Sequence, residues 1–286
     1  MHNGLKCTPE ISVSVEFDDK TYSLVLKPAV DEKFTAKESC QFTEEALCVC
    51  EPSIEASLLK EVKRNLNASN WMVYHFHDTS ATAPMRWSEI ADDYHVGLRA
   101  DAANIAPFLL HLKNHPVYCK NYAKIVNAVQ FVIPFFEDFD LKVCKSGPVE
   151  DVKLCWRQKK SDYPMQPYHL SDGSIRFICL ATALLQPNLP PLMVIDEPEL
   201  GIHPSALEIL AELIQLASRR TQVIVATQSP KFVDEFTIDD LIVAKRQDGA
   251  SVFERLDEKD YNVFLENERV GALWAMNIIE GDSVHE

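Results

Sequence analysis

The stretch Leu192-Met193-Val194-Ile195-Asp196-Glu197 is an apolar run that ends abruptly in two carboxylates. A short run of this kind reads as a strand buried on both faces of a parallel sheet, and ligands of open α/β sheets gather at the carboxyl ends of such strands. Asp196, on the rigid strand end, can hold the water shell of Mg²⁺. Glu197, pointing elsewhere along the turn, can polarise a water for attack on phosphate. An apolar run followed by Asp-Glu is also common where an ordinary strand meets a polar loop, so the flanking sequence has to decide.

Downstream, Gln222-Val223-Ile224-Val225-Ala226-Thr227 is a second compact, β-branched run of the same type, again expected to be buried on both faces. Its end, Thr227-Gln228-Ser229-Pro230, should emerge on the same edge as the two carboxylates. Between the runs lies a helix from about Ser205 to Ser218, with Ser205 and Glu208 spaced as a capping box and Leu207, Leu210, Leu213, Ile214 and Ala217 as its apolar stripe. Upstream, Leu170-Ser171-Asp172-Gly173-Ser174-Ile175-Arg176 precedes a helix that is apolar on every side from Phe177 to Leu185 and must therefore be buried. Ser171 is a natural N-cap there. A helix start with Ser and Gly exposes free N–H groups that can receive phosphate oxygens, although most such caps only cap.

Taken in order, LSDGSIRF, LMVIDEPELGIHP and VIVATQSP resemble the signature loop, the Walker B strand with its D-loop, and the switch loop of ABC-class ATPases of the RecF and SMC type. WMVYHFHDTS (Trp71 to Ser80), the helix at Asn104 and the tail around Leu273-Trp274 resemble a bacterial subgroup of that class. The resemblance implies an α/β P-loop NTPase head, a mixed sheet flanked by helices, that uses ATP and Mg²⁺. It gives Asp196 the Mg²⁺, makes Glu197 the catalytic carboxylate and Gln228 the switch residue, and has Ser171 and Gly173 grip the γ-phosphate bound to an opposite subunit. Gln228 departs from the His typical of the class: its amide can orient water or donate to phosphate but cannot carry a proton.

A second departure concerns the phosphate loop. The class binds ATP with GxxxxGK[ST], and the eight glycines here stand at 4, 97, 147, 173, 201, 249, 271 and 281, no two of them five apart. The resemblance places this chain after that loop and its strand, with residues 1–140 as the remnant of an amino-terminal lobe, a hairpin arm plus a helical subdomain, and 141–286 as the carboxyl ATPase lobe. The neighbours of the missing strand should show unpaired backbone groups and uncovered apolar faces unless another segment or chain fills the gap. A shortened gene product, a split protein completed by a partner ATPase chain that supplies the phosphate loop, and a degenerate member kept for interaction all stay open.

The rest of the chain adds less. Ile11 to Leu26 alternates around Asp18-Asp19-Lys20 and predicts an antiparallel hairpin, followed by polar stretches through Glu45. Residues 55–66 read as a helix, Trp71 to Phe76 as a strand, and Asp78 to Ala83 as a loop. Asn104 to His115 and Tyr118 to Phe136 read as helices broken by Pro116 and Pro134.

His75-Phe76-His77-Asp78 could supply metal ligands to a metallohydrolase, but no further ligand stands at a recognisable spacing, so packing or hydrogen bonding is the expectation. His111 and His115 are four apart without the Glu of HExxH. The eight cysteines show no CxxC pair and no Gly-x-Ser-x-Gly is present, so disulfide scaffolding, thiolate metal sites and covalent catalysis have no support. With 28 basic against 43 acidic residues, nucleic acid is expected only as an indirect partner. No apolar stretch approaches the roughly 20 residues that span a bilayer, and the acidic start lacks a signal-peptide plan, so a cytoplasmic head acting as a homodimer or with a partner chain is expected. The rival reading is a noncatalytic module that keeps the fold and docks on a complete ATPase or a nucleic-acid-processing complex.

Overall fold

Alternating residues near the amino terminus form an antiparallel meander in the computed structural model, which describes residues 11–17, 20–28, 34–42, 71–87, 89–90, 97–146, 149–247 and 250–279. Strand β1 (Ile11–Phe17) pairs with β2 (Lys20–Pro28), Ile11 opposite Leu26 and Phe17 opposite Lys20, as the hairpin pattern requires. β2 also pairs with β3 (Phe34–Phe42). The sequence reading had no strand there, because Lys37 and Glu38 interrupt its apolar pattern. These strands lie in a unit made of Met1–Ser69, Ile242–Arg255 and Glu280–Glu286; the other unit is Asn70–Leu241 with Leu256–Ile279. The helix expected over 55–66 and the turn at Asp18 and Asp19 lie outside the described residues.

The larger unit opens with β4 (Met72–Tyr74), a 3₁₀ turn at Pro84–Arg86 and β5 (Glu89–Ile90). Helices α1 (Ile105–Asn114) and α2 (Cys119–Val132) follow where expected. Pro134 ends the second, so Phe136 starts a strand instead of continuing the helix. Next come β6 (Phe136–Phe139), β7 (Val143–Ser146), β8 (Val149–Val152), β9 (Trp156–Gln158) and β10 (Pro164–Met165), arranged as antiparallel sheets β10-β9-β6 and β5-β8-β7. Then α3 (Asp172–Leu185), β11 (Leu192–Asp196), α4 (Pro204–Ser218), β12 (Gln222–Ala226) and the one-turn α5 (Pro230–Val233) carry the informative motifs. A hairpin, β13 (Ile242–Gln247) and β14 (Ala250–Arg255), belongs to the first unit. Helices α6 (Glu258–Leu265) and α7 (Val270–Ala275) return to the second.

The sheet that carries the two β-branched runs has the order β12-β11-β4, all parallel, with Ile195 between Tyr74 and Val225. Tyr74, Met193 and Ile195 are fully buried in one cluster with residues of α3 and α4. Every residue of α3 from Ile175 to Leu185 is buried, as its all-round apolar pattern demands. At roughly 1.5–3 kcal/mol per large apolar side chain, this helix is a principal source of the unit's stability.

Two expectations need correction. The strands are not buried on both faces: Val73 is 56% and Ile224 49% exposed, and both pair with half-buried Val194 between them. One face is packed against helices, and the other presents an apolar row. The start of α4 is not capped by Ser205 and Glu208. The N-cap is His203, whose Nδ1 accepts from the Ser205 N–H at 3.2 Å, with Pro204 in the first turn.

Candidate functional site

β11 ends at Asp196, and the chain turns sharply at Glu197, which takes φ of +41°. A left-handed conformation for a residue with a β-carbon costs about 1–3 kcal/mol, and here it is held from both sides: the Glu197 N–H donates to the Ala226 carbonyl at 2.8 Å and its carbonyl accepts from Leu200 at 3.2 Å. The turn brings the Glu197 carboxylate toward the end of the neighbouring strand. There the Gln228 side-chain amide donates to Glu197 Oε1 at 3.3 Å, and one residue earlier the Thr227 hydroxyl donates to Glu199 Oε1 at 2.5 Å. The other oxygen of Glu199 is buried without a hydrogen-bond partner. Ser229 closes this segment by capping α5, its Oγ accepting from the Phe232 N–H at 3.3 Å.

The third strand end comes from β4. His75 and His77 follow it, their rings edge to face at 3.8 Å between centroids, with His75 Nε2 and His77 Nδ1 2.5 Å apart. His77 Nε2 meets the Asp196 backbone carbonyl at 3.2 Å, and His75 Nε2 lies 3.9 Å from Asp196 Oδ2. A shallow cleft lined by His77, Arg176, Asp196, Glu197 and Pro198 opens beside them.

Arg176, on the first turns of α3, holds this arrangement together. It donates from Nε to the Phe76 carbonyl at 2.8 Å, from Nη2 to that of His77 at 3.1 Å, and from Nη1 to that of Leu200. One buried guanidinium thus joins the tail of β4, the start of α3 and the loop after Glu197. Burial pulls its pKa below the ordinary value, against the opposing charge of Asp172. Arg86 makes a second clamp: it donates to the carbonyls of Thr79 (2.9 Å), Pro167 (2.7 Å) and Leu170 (3.3 Å) and pairs with Asp172 at 3.0 Å.

At the start of α3, Ser171 is the N-cap expected, its Oγ accepting from the Ser174 N–H at 3.2 Å. Gly173 has a packing reason to be glycine: a β-carbon there would meet the Gly201 carbonyl oxygen at 2.2 Å. Gly201 itself has φ of +72° and sits against Arg176. Asp196, Glu197 and Gln228 are therefore neighbours at one rim of a common sheet, while Gly173 packs on Gly201 of the loop that follows Glu197 and Ser171 bonds within the first turn of α3.

The family described as "AAA domain, putative AbiEii toxin, Type IV TA system" matches residues 54–234, well over half of the chain. The chain belongs to this AAA domain family. The α/β architecture and the ATPase ancestry implied by the three motifs agree with it. Solved structures similar to this AAA domain include an SMC head bound to the C-winged helix domain of ScpA, 12% identical over 85% of this chain and 76% of that one with a TM-score of 0.46. The SMC head domain from Thermotoga maritima is 12% identical over 84% and 75%, TM-score 0.42. The Pyrococcus furiosus SMC head with an extended coiled coil, bound to the C-terminal domain of ScpA, is 12% identical over 87% and 80%, TM-score 0.43. No curated protein matches the AAA domain. Among the described residues, no helix is long and apolar enough to cross a membrane.

Sequence reasoning assigned nothing to Arg176 or Arg86: the partners of Arg176 and most of those of Arg86 are backbone carbonyls, which leave no trace in residue type, and the side-chain partner of Arg86, Asp172, lies 86 residues away. It set His75, His77 and Asp78 aside because no further ligand stands at a recognisable spacing, whereas the fold brings a distant carboxylate to the two histidines. That carboxylate, Asp196, lies 119 residues from His77 along the chain, beyond any local spacing.

Proposed function

We propose that this AAA domain is the hydrolytic head of an ATP-driven switch, with Asp196 as cation ligand, Glu197 as the base and Gln228 orienting the attacking water. The observation that carries the reading is the 3.3 Å contact from the Gln228 amide to the Glu197 carboxylate, which joins the ends of two parallel strands where a nucleophilic water needs both an acceptor and a donor. In the step proposed, the water oxygen attacks the γ-phosphorus of ATP, the bond to the bridging oxygen breaks, ADP leaves, and Glu197 takes the water proton. Asp196, with its side chain 45% exposed beside two imidazoles, is a donor that fits a divalent cation. A divalent cation bound there would neutralise phosphate charge.

Ser171 and Gly173 are proposed to grip the γ-phosphate of a second head, so that two heads close on ATP and separate after hydrolysis. The similar SMC structures include one described by ATP-driven dimerization, and dimerization is a proposal for this chain. Glu197→Gln in a complete ATPase assembly should abolish turnover while ATP stays bound, and Ser171→Arg should prevent closure. Unchanged turnover in either variant would sink the assigned role. The rival, a noncatalytic module on a partner ATPase, is favoured by one observation: no GxxxxGK[ST] occurs in these 286 residues. Mg²⁺-dependent ATP hydrolysis by this chain alone would exclude that rival.

A further inference from the structure

We infer that His75, His77 and Asp196 form a binding site for a first-row transition-metal cation of the zinc class. One ligand atom from each residue lies within 4.8 Å of the other two, and the three come from two segments far apart in sequence. The tautomer of His77 is the first argument. Its Nε2 faces the Asp196 carbonyl at 3.2 Å, an acceptor, so that nitrogen carries the proton and the Nδ1 lone pair points at His75. Metal-bound histidines do the same: the ring N–H not needed by the metal donates to a backbone carbonyl, which fixes the ring and raises the basicity of the ligating nitrogen. With Zn–N distances of about 2.0–2.1 Å, a small outward rotation of the rings from their 2.5 Å contact would admit the ion.

Preorganisation is the second argument. The backbone of Phe76 and His77 is pinned by Arg176, and Asp196 closes a strand paired on both sides, so little ordering remains to be done on binding. Ligand type is the third. Two imidazoles and one carboxylate suit Zn²⁺, Co²⁺ or Ni²⁺ far better than Mg²⁺, which prefers oxygen and water. His75 is about half exposed, which leaves coordination positions for water or phosphate oxygen, as in open rather than structural zinc sites. The site rests on these side chains alone; only its place in turnover rests on the ATPase reading, where it would make the rim cation a transition ion.

The test uses Co²⁺ as a spectroscopic probe on the full chain after chelator treatment. The expected result is about one Co²⁺ per chain with visible d–d absorption, displaced by Zn²⁺ and not by a large excess of Mg²⁺. His75→Ala and His77→Ala should each weaken binding at least ~10-fold, with circular dichroism confirming that each variant is folded, and His111→Ala with His115→Ala should leave it unchanged. Failure to bind Co²⁺, or binding that survives the loss of both His75 and His77, would overturn the site. Glu197→Gln keeps all three ligands, so it should still bind Co²⁺. Loss of turnover in that variant with metal binding intact supports both proposals, whereas intact metal binding with no ATP hydrolysis by any complete assembly refutes the ATPase reading alone.

Discussion

Glycine at position 197 would separate two properties that glutamate combines. Its φ of +41° is a conformation glycine adopts without cost, so Glu197→Gly should stabilise the fold by about 1 kcal/mol while removing the proposed base; a thermal melt that falls instead would show that the carboxylate contact to Gln228 outweighs the backbone strain. Arg176 is the opposite case. Arg176→Leu keeps the apolar bulk but leaves the carbonyls of Phe76, His77 and Leu200 without their donor, and should cost ~3 kcal/mol or more in denaturant unfolding. That Asp196, Glu197 and Gln228 stand at or just past strand ends and that Ser171 caps α3 was legible, because strand ends and helix caps have residue-type signatures. Arg176 and the histidine pair were not, since the first is read by backbone atoms and the second needs the fold to bring its partner.

Among elements, the contact of α3 with the loop after Glu197 is set by backbone against backbone. Gly173→Ala places a β-carbon 2.2 Å from the Gly201 carbonyl, which no side-chain rotation can relieve, so a loss of about 1–3 kcal/mol is expected in an equilibrium unfolding curve. The same variant reports on function only if it remains folded. The two-faced character of β11 and β12 gives a paired prediction: Met193→Ala should cost about 2–5 kcal/mol and Ile224→Thr less than about 0.5 kcal/mol, because Met193 is fully buried and Ile224 is half exposed. Equal losses would mean that both faces are covered. The β-branched runs revealed that these strands exist and where they end. They could not reveal that Val73 and Ile224 stay half exposed on one face, since composition does not record which neighbours arrive. β3 was missed for a related reason: its order comes from pairing with β2, not from its own pattern.

For the molecule as a whole, acid stability should depend on Asp138, which joins three elements. It accepts from Lys113 of α1 at 2.8 Å and from the Tyr122 hydroxyl of α2 at 2.6 Å. Burial alone would raise its pKa, but these donors together hold it below the ordinary carboxylate value. A depressed carboxylate contributes stability above its unfolded pKa and loses it as pH falls through the folded one. Melting temperature should therefore drop less steeply from about pH 5 to about pH 2 in Asp138→Asn than in the parent. At the alkaline end, burial pushes the Tyr74 hydroxyl up to about 12. A group held neutral in the native state contributes most below its unfolded pKa and loses that contribution as pH rises, so Tyr74→Phe should flatten the alkaline limb.

The contact of α7 with α5 reaches further than its size suggests. A β-carbon on Gly271 would collide with the Pro230 carbonyl, and the Gly271 N–H donates to Asp234 at 2.8 Å, so the two short helices have no slack between them. Pro230 stands two residues after Gln228. A load on α7 would therefore be felt first at Pro230, so a body seated on that helix would press on the same segment that carries Gln228.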